Sequence, residues 1–127
     1  KERIQKRELL NVSLVWGNAR FAIPELFTEG QLEEIYIFHP DPWPKTRHSK
    51  HRLLQTSFLN DLAVRMAPGG LLYIQTDDPP YSVEIQEALN KTVSLSPAEI
   101  MLNRSTRTLY EEKMKGKPLF TFKYRRC

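Results

Sequence analysis

Four short segments of the chain have the hydrophobic pattern of β-strands. Residues 12–16 alternate and are rich in β-formers up to Gly17, and residues 34–38 run directly into a proline-rich loop. Residues 71–74 are a nearly continuous apolar run, which is typical of a strand buried on both faces. Residues 119–124 alternate again. The pattern therefore predicts four strands.

Helical periodicity separates these strands. Between Ser49 and Met66, apolar residues recur at intervals of three and four and form one face, with Ser49 as the predicted N-cap. The sequence Pro-Gly-Gly at 68–70 predicts the end of this helix. Shorter helices are predicted over residues 1–10, which Asn11 ends, 21–27, where Pro24 falls in the first turn, 81–90 and 108–114.

This order of strands and helices predicts the α/β class, with a mostly parallel sheet, covered faces and an antiparallel last strand. In such sheets, ligands bind beyond the carboxyl ends of the strands. Three polar segments fall there, and we expect them to converge: residues 17–19, 39–45 and 76–78.

Composition indicates one soluble domain, because the chain has 127 residues, of which 40% are hydrophobic and 27% charged. No apolar stretch is long enough to cross a bilayer, and the first residues lack a signal-peptide core. The single cysteine, Cys127, cannot form an intrachain disulfide. We therefore expect a reducing, cytoplasmic setting.

Positive charge is concentrated in one place. Lys and Arg total 19 against 15 Asp and Glu, and six of the eight residues at 45–52 are cationic or can become so. Such a cluster at a helix start favours phosphate, so it predicts contact with nucleic acid, although a solvated charged face is the alternative. His48 and His51 have no third ligand at helical spacing, so we expect no metal site.

The sequence Pro-Asp-Pro-Trp-Pro at 40–44 predicts a stiff loop, because each proline fixes φ and removes a donor. Asp41 could accept hydrogen bonds from the N1–H and the exocyclic N–H of a guanine, and Trp43 offers a face for stacking. A rigid turn with Trp43 as a lid over the core is the alternative.

A competing motif, Asp-Pro-Pro-Tyr, occupies residues 78–81. It is similar to the motif by which amino-methyltransferases grip an exocyclic amine after their fourth strand. Here it follows the next strand along, so we interpret Asp77 and Tyr81 as secondary contacts. The alternative for this segment is a helix cap with a packed aromatic ring.

Taken together, these motifs resemble those of bacterial tRNA (guanine-N7-)-methyltransferases, from about residue 11 to the C-terminus. The resemblance rests on Pro-Asp-Pro-Trp-Pro-Lys at 40–45 with its basic tail, Pro-Gly-Gly at 68–70, Thr76-Asp77 with Tyr81, and Arg-Thr-Leu-Tyr-Glu at 107–111. It implies a Rossmann-like fold and transfer of the methyl group of S-adenosylmethionine to N7 of a guanine in the tRNA variable loop.

The resemblance also implies roles for single residues. Asp41 matches the catalytic carboxylate beside the transferred methyl group. The implied cofactor contacts are Asn18, Ala19 and Asp41, where Asn18 stands in place of a usual Asp. The implied substrate contacts are Lys45, Asp77, Thr108, Leu109, Tyr110 and Glu111. The implied RNA contacts are Arg47, His48, Lys50, His51 and Arg52. His39 replaces a common Phe, and His51 a common Arg.

The chain has only five glycines, and no Gly-rich loop precedes Val12. In the family, such a loop holds the cofactor. We therefore expect residues 1–127 to be one N-terminally truncated domain that binds S-adenosylmethionine weakly, with an exposed sheet edge that favours self-association. A non-catalytic RNA-binding fragment is the alternative.

Overall fold

A computed structural model describes residues 10–99 and 118–127. The elements in chain order are α1 (Ala19–Leu26), β1 (Leu32–Phe38), a 3₁₀ helix (Thr46–His51), α2 (Thr56–Arg65), β2 (Met66–Thr76), α3 (Pro79–Asn90), β3 (Leu95–Pro97) and β4 (Phe120–Arg126). The predicted α/β class is confirmed.

The four strands form one mixed sheet in the order β1-β2-β4-β3. β1 and β2 are parallel, and β4 runs antiparallel to both β2 and β3, as predicted for the last strand. Phe38 at the end of β1 is paired with Gln75, and the next residue, His39, donates its backbone N–H to the Gln75 carbonyl at 2.8 Å. The carboxyl ends of β1 and β2 therefore meet at one edge of the sheet.

The described helices pack on one face of this sheet. Apolar side chains of α2 and α3 meet those of the central strand β2, and their burial stabilises the fold at roughly 25 cal/mol per Å² of apolar surface removed from water. The residues at the centre of this core are Leu59, Leu62, Leu72, Ile74, Ile85 and Leu89. α1 adds Ala19 and Ile23 at its margin.

The sequence Pro-Gly-Gly does not separate a helix from a strand. It lies within β2, where Leu32 pairs with Met66 but Glu34 pairs with Leu71, so the extra residues form a bulge. Gly69 takes a φ of 76°, and a Cβ on Gly70 would lie 2.8 Å from the Ala67 carbonyl oxygen. Positive φ therefore favours glycine at 69, and the lack of space for a Cβ requires it at 70.

The predicted strand at residues 12–16 is wrong. This segment has no strand structure, and Trp16 and Leu14 are 101% and 58% exposed. A strand is stabilised by a hydrogen-bonded neighbour and by packing of one face, and local β-propensity does not supply either. Within the described residues the sheet ends at β1 and offers this segment no partner.

The predicted helix at 49–66 is two helices. The 3₁₀ helix ends at His51, residues 52–55 are extended or irregular, and α2 begins at Thr56. Ser49 is not an N-cap, since it lies inside the 3₁₀ helix and its carbonyl accepts from Arg52 N–H. The apolar spacing continued across the break because Leu54 and Phe58 both reach the core.

Other boundaries shift by a few residues. α1 begins at Ala19, so Pro24 falls inside the helix rather than in its first turn. α3 begins at Pro79 rather than at residue 81. β3 was not predicted. The predictions over residues 1–9 and 108–114 lie outside the described residues. None of the described helices has the length and hydropathy needed to span a bilayer.

Candidate functional site

The cleft at the carboxyl end of β1 brings together two of the three segments predicted to converge. It has a volume of 560 Å³ and is lined by Gly17, Asn18, Ala19, Arg20, Phe21, Pro40, Asp41, Trp43, His51 and Leu53. Small-molecule sites commonly enclose roughly 300–1,000 Å³. The two predicted cofactor segments, at 18–19 and at Asp41, therefore share one opening.

Asn18 forms the rim of this cleft and the start of α1. Its Oδ1 accepts from the Arg20 backbone N–H at 3.0 Å, an N-cap that fixes the side chain at the helix start. Both Asn18 and Asp41 are exposed, so a ligand in the cleft can reach their polar atoms.

The proline-rich loop has an internally defined geometry. Asp41 Oδ1 accepts from the Trp43 backbone N–H at 3.0 Å, which forms an Asx turn. His39 and Trp43 each precede a proline and have φ values of 49° and 43°, a region that non-glycine residues rarely adopt. Strained backbone of this kind clusters at functional sites, where surrounding contacts hold it in place.

Arg52 supplies such contacts. Its Nε donates to the Pro42 carbonyl at 2.6 Å, and its Nη2 donates to the Trp43 carbonyl at 3.0 Å. Its Nη1 donates to the carboxylate of Glu84 on α3. Arg52 was predicted to contact RNA, but all three nitrogens of its guanidinium donate within the chain.

The rest of the basic run lies at the start of the 3₁₀ helix or on it, and is more accessible. Lys45, Arg47, Lys50 and His51 are exposed, and His48 is half-buried. The His48 and His51 rings lie 5.5 and 5.0 Å from the Trp43 ring, so this basic surface is continuous with the loop that carries Asp41.

Arg20, which had no predicted role, fastens the 3₁₀ helix to α1. Its Nη2 donates to the carbonyls of Lys50 and Arg52 at 3.1 and 2.7 Å. The Gln55 amide donates to the carbonyls of Ser49, Lys50 and Arg52. The free carbonyls at the helix end are thereby satisfied. No sequence signal links Arg20 to residues 30 positions away.

The third segment, at the end of β2, adjoins the loop through Asp77. One carboxylate oxygen of Asp77 lies 3.7 Å from Nδ1 of His39, and Asp77 is partly exposed. The His39 side chain is 8% exposed, so it lies mostly buried beside Asp77, the residue predicted to bind substrate.

The Asp-Pro-Pro-Tyr segment forms a helix cap with a packed aromatic ring, which was the alternative to a substrate contact. The carboxylate of Asp78 caps α3 by accepting from Tyr81 N–H at 2.8 Å. Tyr81 is 1% exposed, and its hydroxyl accepts from Leu54 N–H at 2.9 Å. Burial raises the pKa of this phenol above its usual value. Because Asp78 caps the helix and Tyr81 is buried in the core, the amino-methyltransferase interpretation is not favoured.

The remaining predicted substrate contacts, Thr108, Leu109, Tyr110 and Glu111, lie outside the described residues. Within the described part of the chain, His, Cys, Asp and Glu do not gather in groups of three or more that could hold a metal ion.

Comparison with known proteins shows a family of methyltransferases. A model of the family described as "Putative methyltransferase" matches residues 1–119. A tRNA (guanine-N(7)-)-methyltransferase of Nitrosomonas europaea is 41% identical over 87 residues, which are 68% of this chain and 39% of that protein. The enzyme of the same name from Nitrosomonas eutropha is 39% identical over 89 residues, 70% of this chain and 40% of that protein.

The chain thus spans about two fifths of the length of these curated relatives. Among solved structures, a SAM-dependent O-methyltransferase from Thermotoga maritima is similar with a TM-score of 0.56 and 12% identity. It covers 98% of this chain, and this chain matches 43% of it, which confirms the predicted Rossmann-like fold. The loop geometry, the family match and the named relatives agree, and the chain belongs to the methyltransferase family whose named members here are tRNA (guanine-N(7)-)-methyltransferases.

Proposed function

We propose that this protein acts as a tRNA (guanine-N7-)-methyltransferase, which transfers the methyl group of S-adenosylmethionine to N7 of a guanine in the tRNA variable loop. The observation that carries the proposal is the cleft in which Asp41 and Trp43 face Asn18 and Ala19, with the basic 3₁₀ helix beside it. The names of the curated relatives support the same substrate.

The residues present fit a nucleoside-containing cofactor. The cleft has the size of a small-molecule site, apolar walls from Ala19, Phe21 and Leu53, and polar groups from Asn18 and Asp41. Asn18, Ala19 and Asp41 would hold S-adenosylmethionine, which supplies an electrophilic methyl group when bound.

Methyl transfer to N7 requires the guanine and the methyl donor to be aligned, and it does not require a catalytic base. N7 of guanine carries a free lone pair, so no proton has to be removed before it attacks the methyl carbon in line with the departing sulfur. Asp41 keeps acceptor capacity beyond its bond to Trp43, because a carboxylate offers about four lone-pair sites. It would accept from the N–H groups of guanine and stabilise the positive charge that develops on the ring.

The 3₁₀ helix would hold the tRNA backbone. Arg47 and Lys50 are exposed cations on it, and His48 and His51 stand beside the Trp43 ring on which a base can stack. Lys45, between the two parts, would contact the target nucleotide, and Asp77 would do so from the end of β2.

Product identification tests this function. The protein expressed from its complete gene is incubated with S-adenosylmethionine and a tRNA transcript, and the nucleosides are separated by mass spectrometry. We expect N7-methylguanosine, and none when the variable-loop guanine is replaced by 7-deazaguanine, which lacks the accepting nitrogen. N6-methyladenosine as the product, or an undiminished yield from the 7-deaza substrate, would overturn the proposal.

Two further proposals concern where the protein acts and how it assembles. We place the protein in the cytoplasm, where tRNA is modified. Within the described residues β1 has a strand on one side only, and an open edge is a template for pairing, so we propose self-association through β1. Light scattering at increasing concentration should give a mass above that of one chain; a constant monomeric mass would contradict this.

A further inference from the structure

We propose that Arg52 is a positioning residue: it fixes the backbone at Pro42 and Trp43, and thereby the place of the Asp41 carboxylate, instead of contacting RNA. The loop has few ways to hold itself, because the prolines at 40, 42 and 44 have no N–H to donate. Its carbonyls therefore need a donor from elsewhere in the chain.

Arg52 is that donor, and its geometry suits the task. Its side chain is 12% exposed, and Nε and Nη2 reach the carbonyls of two successive residues, Pro42 and Trp43. Charge-assisted bonds from a rigid guanidinium are stronger than neutral ones. They bear on the residue with a φ of 43°, whose conformation would otherwise relax.

The arginine is itself held by the folded core. Glu84 lies in the second turn of α3, a helix that Asp78 caps and Tyr81 anchors, and its carboxylate accepts from Nη1 of Arg52. The guanidinium carbon lies 6.0 Å from the centre of the Tyr81 ring. The loop is thereby tied to a rigid helix rather than to another loop.

This arrangement separates Arg52 from the exposed cations on the 3₁₀ helix. A phosphate would have to compete with two carbonyls and a carboxylate for its nitrogens, whereas Arg47 and Lys50 are exposed. Arg52 is therefore expected to affect the orientation of Asp41 and Trp43, and Arg47 and Lys50 the electrostatic attraction of RNA.

Trp43 fluorescence tests whether Arg52 fixes the loop, and the test does not depend on any activity. The chain has two tryptophans, so Trp16→Phe leaves Trp43 as the only reporter, and Trp16 is fully exposed. Arg52→Gln should raise the acrylamide quenching constant of Trp43 about twofold. Arg52→Lys and Glu84→Gln should give smaller increases, and Lys91→Gln, which removes an exposed cation at the end of α3, should give none. Circular dichroism confirms that each variant is folded.

If Arg52→Gln does not fold, Glu84→Gln still tests the proposal. It keeps the arginine and removes only the partly exposed carboxylate that accepts from Nη1. Quenching constants equal to the parent's in both Arg52→Lys and Glu84→Gln would overturn the proposal. An increase in either, with none in Lys91→Gln, supports it.

A second arm rests on the proposed function and measures tRNA affinity against salt concentration. Arg52→Gln should leave the slope of log K against log salt unchanged and lower kcat about tenfold or more, whereas Arg47→Gln should flatten the slope by roughly 0.7–0.9. An equal flattening by Arg52→Gln would show an RNA contact and overturn the positioning role. If no tRNA binds at all, the proposed function fails and the fluorescence result still decides the role of Arg52.

Discussion

The Asp41 carboxylate and the backbone of Trp43 form one rigid unit, in which Oδ1 of Asp41 accepts from Trp43 N–H at 3.0 Å. This bond links the carboxylate expected to orient the base to the backbone that carries the ring expected to stack on it. Arg52 donates to the carbonyl of the same Trp43, so the backbone that receives the Asp41 carboxylate is itself held by a side chain from outside the loop.

The exposed cations of the 3₁₀ helix should carry most of the salt dependence of RNA binding. Replacing both Arg47 and Lys50 by glutamine removes two phosphate contacts, which should flatten the slope of log affinity against log salt by about 1.4–1.8. Filter binding between low and high salt measures this slope. Lys91→Gln, at the far end of α3, should leave it unchanged, and an unaltered slope in the double variant would return the helix to a solvated charged face.

Tyr81 should contribute to stability rather than to the choice of substrate. Tyr81→Phe leaves the buried Leu54 N–H without its acceptor, which should lower the free energy of unfolding by about 1–3 kcal/mol. Urea denaturation measures the loss, and the methylated nucleoside should stay the same. A change of product from guanine to adenine would show that the Asp-Pro-Pro-Tyr segment acts on the substrate after all.

The same tyrosine gives the protein a pH dependence in the alkaline range. Burial raises the pKa of Tyr81 above the value of 10.0 that the unfolded chain has, so the folded state holds the proton more tightly. Its contribution to stability should be complete below pH 10 and should fall as the pH rises above 10 towards the folded pKa. Urea midpoints measured against pH should show a smaller alkaline decline in Tyr81→Phe than in the parent; equal declines would contradict this.

Much of the fold could be predicted from sequence because its patterns are local. Alternation predicts β4, the β-forming residues before the proline-rich loop predict β1, and the apolar run of β2 predicts a central strand. The error at residues 12–16 arose because a strand depends on a partner elsewhere in the chain. The error at Ser49 arose because the apolar spacing of α2 continues through Leu53 and Leu54 into the irregular segment before it.

The sequence predicts the site only where its residues lie close together within one motif. Asp41, Trp43 and the basic run are close in sequence, so their proximity follows from a stiff loop. The contacts of Arg52 with Glu84, 32 positions away, and of Arg20 with the carbonyl of Arg52 depend on how α1 and α3 pack. The residue types along the chain do not indicate how these helices pack, so the two contacts could not be predicted.

The bulge in β2 should tolerate no side chain at Gly70. In Gly70→Ala the new Cβ would meet the Ala67 and Leu32 carbonyl oxygens at 2.8 and 3.1 Å, which should destabilise the fold by about 1–3 kcal/mol. Gly69→Asn is the matched control, since nothing lies within 4 Å of a Cβ there and asparagine tolerates positive φ. Thermal denaturation compares the two, and equal melting temperatures would show that β2 relaxes around the alanine.

The central claim is that the Asp41 carboxylate orients the guanine for attack by N7. Its most direct test is single-turnover methylation of tRNA by Asp41→Asn and Asp41→Ala in the protein expressed from its complete gene. Asparagine keeps an acceptor for Trp43 N–H and loses the charge, whereas alanine loses both. We expect both variants to lower the single-turnover rate constant by about 10²–10³-fold with tRNA affinity within about twofold of the parent, and alanine alone to raise the acrylamide quenching of Trp43. Methylation by Asp41→Asn at the parent's rate would contradict the account.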